Sequence, residues 1–221
     1  MSSRNNLPFL AFATTAVLGI AVVLALLVAP EDADQGVSQR IFYFHVPSAM
    51  IMFLSAFVCG TASGVFLAKR SAKADHVALA AAELVVVFGL IVLVTGPLWA
   101  RKAWGVWWQW DARLTSSLVL WLIFVSYLLL RRFGGPGSET LAGAVGVFGM
   151  ANVPFVYWSV HIWRTIHPTT NVVSTLVPEM RLPFYWSAGA FALLYVVILL
   201  TRVRLAAASA TLEAAYAELE D

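Results

Sequence analysis

The sequence predicts an all-α integral membrane protein, a bundle of six transmembrane helices with both termini cytoplasmic, and three observations predict it. Of 221 residues, 61% are hydrophobic and 12% charged, with a mean hydropathy of +0.82, against roughly 25% charged in an average soluble domain. Six apolar stretches, 7–29, 46–68, 77–100, 114–130, 141–160 and 184–201, come close to the roughly 20 residues that cross a bilayer at about 1.5 Å each. Basic residues recur at alternate ends of these stretches. That composition leaves room for one membrane domain and excludes a large soluble one.

Taken in order, the first stretch follows Arg4 and is expected to be a retained anchor, because its apolar run exceeds the roughly 7–15 residues of a signal peptide and Pro30 follows without a small-x-small site. Lys69, Arg70 and Lys73 close the second stretch, Arg131 and Arg132 the fourth, Arg202 and Arg204 the sixth. By the positive-inside rule these ends face the cytoplasm. Arg40, Arg101, Lys102, Arg113, Arg164 and Arg181 fall outside, which gives three outer loops at 30–45, 101–113 and 161–183. Gly60 and Gly64, and Gly143, Gly146 and Gly149, are spaced for close helix approach in lipid, and Pro154 is expected to kink the fifth helix. Residues 1–204 are read as the membrane domain and 205–221 as a cytoplasmic amphipathic tail, with Leu205, Leu212, Tyr216 and Leu219 at helical spacing.

Several chemistries are excluded early. A net charge of +2 without a basic block argues against nucleic acid. Cys59, the single cysteine, excludes an internal disulfide, a thiolate zinc cluster and a C-x-x-C-H heme attachment site. No phosphate-loop motif occurs, so ATP hydrolysis falls to a partner.

Four of the nine tryptophans fall in WGVWWQWD, from Trp104 to Asp111. On a helix Trp104, Trp107 and Trp108 share a face, an aromatic shelf suited to a large planar apolar ligand at the outer surface. Interfacial belts also concentrate indole, but they scatter it over helix ends instead of gathering it in one loop. Arg101, Lys102 and Arg113 flank the run and are candidates for an anionic ligand, with interfacial snorkelling as the alternative for Lys102. Asp111 is placed to cap the fourth helix.

The run WGVWWQWDARLTSS resembles the W-G-x-x-W-x-W-D signature of the WWD-domain heme-handling family, which assembles c-type cytochromes, with every fixed position matched. Length and six-helix layout most closely resemble the short members of that family, the heme exporter protein C group of the bacterial cytochrome c maturation system. Longer relatives, the heme lyases, carry more helices than this chain has room for.

Of the four histidines, His76 lies by the inner basic cluster and is read as a surface residue. His45, in FHVP, stands at the mouth of the second helix. Heme iron takes imidazole ligands from separate elements. His161 and His167 share an outer loop, but six residues turn a helix by about 600°, leaving them about 120° apart, so at most one partners His45. The resemblance implies which: its histidines match His45, ahead of V-P, and His167, in WRTIHP. The family often has Gln where this chain has Pro168. His161 is left as an interfacial or neighbouring residue.

The resemblance implies heme b, held non-covalently and transiently, with Trp104, Trp107, Trp108, Trp110 and Asp111 as contacts, Arg113 and more weakly Arg101 toward the propionates, and His45 and His167 as axial ligands. It implies delivery at the outer face to a heme chaperone, with an ABC-type ATPase, its membrane subunit and a small accessory subunit as partners, in the bacterial inner membrane and without enzymatic chemistry in this chain. Rival expectations are a transporter that itself carries heme across the bilayer, a b-type cytochrome and a plain scaffold. Glu83, the one acid inside an apolar span, is expected to pair with Lys69, Arg70 or water.

Overall fold

The computed structural model describes residues 6–168 and 172–220. It is all-helical apart from an isolated bridge between Asp32 and Gly36. α1 (Leu7–Val23) ends in a π-helical turn (Leu24–Val28), and a 3-10 turn (Val37–Ile41) leads into α2 (Phe42–Lys69). α3 (Ala72–Trp104), α4 (Ala112–Phe133), α5 (Ser138–Ile162) and α6 (Pro178–Glu220) follow. All six are long and apolar enough to cross a membrane, where a helix is the natural solution because lipid offers no partner to a free amide or carbonyl.

The helices overrun the apolar stretches. α2 begins at Phe42, so His45 sits in its first turns. α3 continues through Arg101 and Lys102 to Trp104. α6 passes through residue 205 without a break, so the tail is the continuation of the sixth span. At 43 residues, it is about 65 Å long, roughly twice the hydrocarbon thickness.

α2, α3, α4 and α5 pack around a core that includes Met52, Phe88, Phe124 and Val156, with Phe191 and Tyr195 contributed by α6. α1 lies against α6. Glycine sets the α2–α5 and α4–α5 distances: a Cβ at Gly146 would stand 2.6 Å from Ser63 Oγ, and one at Gly149 would stand 2.7 Å from the Phe124 ring. Gly60 faces Met150 just as closely, whereas Gly64 meets nothing within 4 Å, so the expected Gly60/Gly64 pair reduces to Gly60.

Two ion pairs tie helices together among the described residues. Asp75 on α3 accepts two bonds from Arg131 on α4, at 2.7 and 2.8 Å. Glu83 is held by Arg202 of α6, through Nε at 2.5 Å and through Nη2, and not by Lys69 or Arg70 as expected. The sequence pattern could not show that α6 brings its own cation back alongside α3. Gly149→Ala, which forces Phe124 to move, is expected to destabilise the bundle by about 1–3 kcal/mol, while Gly64→Ala is neutral; thermal unfolding in detergent compares the two.

Candidate functional site

Gly105, with φ 78°, occupies the left-handed conformation that stops a helix and suits glycine. It ends α3 after Trp104. Asp111 starts α4 six residues later, its Oδ1 accepting from the Leu114 amide at 2.8 Å. The segment between is not helical, so the expected helical shelf of Trp104, Trp107 and Trp108 does not form. Trp104 and Trp108 instead turn toward one cavity, while Trp107 and Trp110 are 57% and 77% exposed and lie outside it.

That cavity, about 330 Å³, is walled by α2, α3, the tryptophan segment, α4, Tyr157 of α5 and the segment after α5. Its volume lies at the low end of the roughly 300–1,000 Å³ of small-molecule sites. His45 and His167 both line it, and so does Trp99. Trp99 shares a face of α3 with Val92 and Gly96, at i, i+4 and i+7. Its ring is tilted against Trp104 at 6.0 Å, and its Nε1 donates to Gln35 Oε1 at 2.5 Å. The sequence reading missed Trp99 because it looked like one more residue of an apolar span; its helical phase with Gly96 was the available signal. Thr95 was missed too. Its Oγ1 lies 2.8 Å from His45 Nδ1.

Asp111 is not a wall of the cavity. Its second carboxylate oxygen accepts from Thr165 Oγ1 at 2.5 Å and the Ile166 amide at 3.1 Å, and Thr165 Oγ1 in turn accepts from the His167 amide at 3.0 Å. Both oxygens are thus committed to backbone and loop, and the expected ligand contact becomes a clasp that places His167.

Arg113 does line the cavity, although it is buried and its Nη1 already donates to the Val156 carbonyl of α5 at 2.6 Å. Its guanidinium carbon stands 5.8 Å over the Phe53 ring. Arg101 is exposed and donates to the Gly105 carbonyl, finishing α3. His161 is exposed on the last turn of α5 and does not line the cavity, and His76 lies in the first turns of α3, at the opposite end of that helix from Trp99 and Trp104.

The His167 ring donates from Nδ1 to the Pro168 carbonyl at 2.8 Å. Burial, and after it the Arg113 guanidinium, push its pKa down to about 4, against the pull of the Pro168 bond and Asp111. The imidazole is therefore neutral at pH 7, the form that coordinates metal.

Sequence comparison decides the family. A family model described as "Heme exporter protein C" matches residues 1–218. The chain belongs to the heme exporter protein C family. Within it, the heme exporter protein C of Escherichia coli K12 is 36% identical over 205 residues, covering 90% of this chain and 82% of that relative. The Bradyrhizobium diazoefficiens protein of the same name is 38% identical over 207 residues, covering 90% and 77%. A putative cytochrome c biosynthesis ccmC-like mitochondrial protein of Marchantia polymorpha is 32% identical over 185 residues, covering 79% of each chain.

A depressed histidine pKa gives a signed pH dependence. An unfolded imidazole takes up its proton near 6.5 and the folded one near 4, so the unfolded state binds more protons between those values and stability falls as pH drops from about 6.5 to 4. Unfolding midpoints of the heme-free protein should show this slope in wild type and a shallower one in His167→Gln.

Proposed function

We propose that this chain holds heme as cargo, non-covalently, in the cavity between α2, α3 and the outer segments, and delivers it to a heme chaperone for c-type cytochrome assembly. One observation carries the reading: two histidines from separate elements, His45 on α2 and His167 beyond α5, open on a single cavity walled by Trp99, Trp104 and Trp108. Heme iron accepts axial imidazoles from opposite sides, flat apolar walls suit a porphyrin face, and a lining cation suits a propionate. The residues present fit the group. His45 and His167 are assigned as ligands, Trp99, Trp104 and Trp108 as walls and Arg113 as the propionate partner, through donors beyond its α5 bond.

The relatives' names speak of heme export and cytochrome c biosynthesis, and the tryptophan signature supports the same handling role. In this reading the cavity faces the periplasm from the bacterial inner membrane, both termini are cytoplasmic, and an ABC-type ATPase with its membrane and accessory subunits works alongside. The chain binds, orients and releases; no covalent step is assigned to it.

Absorption spectra of protein purified from heme-replete cells test the reading. His45→Ala and His167→Ala should weaken the Soret band, and His161→Ala should keep it; colourless wild-type protein would defeat the proposal. Heme titration adds a second check that geometry alone dictates. Trp108→Ala, which removes a wall, should weaken binding about tenfold or more, consistent with the roughly 1–3 kcal/mol of an aromatic stack, whereas Trp110→Ala should leave it near wild type.

A further inference from the structure

We infer that Thr95 is a positioning residue for the heme-iron ligand His45, its hydroxyl dictating which imidazole nitrogen carries the lone pair. This rests on the heme reading above. A threonine hydroxyl has one hydrogen to give and lone pairs to accept with. Thr95 Oγ1 lies 2.6 Å from the Ile91 carbonyl, one turn earlier in α3, and 2.8 Å from His45 Nδ1 across on α2. A carbonyl can only accept, so the hydroxyl hydrogen goes to Ile91. What Thr95 then offers His45 is an acceptor, and Nδ1 must be the protonated nitrogen.

A neutral imidazole carries a single N–H. With Nδ1 protonated, Nε2 is bare and available to a metal. The hydroxyl's own donation strengthens it as an acceptor, since linked hydrogen bonds polarise one another. The ring is also held against the backbone of α3: a Cβ at Gly96 would sit 3.4 Å from His45 Cε1, and Trp99 meets the ring edge-on at 6.1 Å. His167 reaches the same protonation pattern by another device, its Nδ1 donating to the Pro168 carbonyl at 2.8 Å. One ligand is thus set between two helices and the other within its own loop.

Valine at 95 keeps the shape of threonine but neither accepts nor donates. His45 would then lose the bond that excludes the Nε2–H tautomer, which has no lone pair on Nε2. Serine keeps the relay. Partners of this kind typically change metal affinity by about 10–100-fold.

The test uses the full chain in lipid nanodiscs. With histidine labelled with nitrogen-15 and no heme present, the His45 signals, assigned by their loss in His45→Ala, should show protonated Nδ1 and bare Nε2 in wild type and Thr95→Ser, and lose that pattern in Thr95→Val. Heme titration should show Thr95→Val weakened about 10–100-fold, with a shifted Soret band, and Thr95→Ser close to wild type. Wild-type affinity and spectrum in Thr95→Val, alongside lost binding in His45→Ala, would overturn the role of Thr95 and leave the heme reading standing. Undiminished binding in His45→Ala would overturn the ligand assignment itself, and this inference with it.

Discussion

The carboxylate of Asp111 joins two interhelical segments that lie 54 residues apart in sequence. With one oxygen it starts α4, and with the other it fastens Thr165 and Ile166, and through Thr165 the amide of His167. Where α4 starts and where His167 stands are thereby one geometric decision. A residue legible in the sequence as a cap has a second, longer-range use that the capping pattern alone cannot reveal.

What the sequence made legible follows from which solvent each signal reports. Apolar runs report lipid, so all six spans were visible. Their ends were not, because α2, α3 and α6 continue for turns past the apolar runs, as backbone hydrogen bonding continues wherever no glycine or cap interrupts it. Gly105 and Asp111 were both in view, yet the i, i+3, i+4 spacing of tryptophans suggested a helix across them; the local stop and start signals won. His45 and His167 came from a matched pattern and do share a cavity. Thr95 and Trp99 did not come, because their importance lies in the phase of α3 against α2, a tertiary relation that one chain's hydropathy does not encode.

Polar chemistry is distributed unevenly along the bundle. At one end acids and bases neutralise each other between helices, Asp75 with Arg131 and Glu83 with Arg202, where they hold α3 to α4 and α6. At the other end two histidines and an arginine face a shared apolar cavity with their bonding directed mostly to backbone and hydroxyl groups. The first arrangement consumes its charge in holding helices together. The second keeps nitrogen and guanidinium valence in reserve, which is the condition for taking a ligand.

α6 gives this division a mechanical side. Its first turns place Met180 and Phe184 in one apolar cluster with Trp99, Val172 and Val173, the last three of which line the cavity, while its far end runs well past Arg202. No other helix here is so long. Pro183 has no amide hydrogen to give the Glu179 carbonyl, so the backbone ladder of α6 is interrupted near its start, between the residues of its first turns and the long rod that follows. Beyond that interruption the rod is tied sideways to α3 by the Glu83–Arg202 pair, so its two ends are anchored by different chemistry, one by apolar contact and the other by charge.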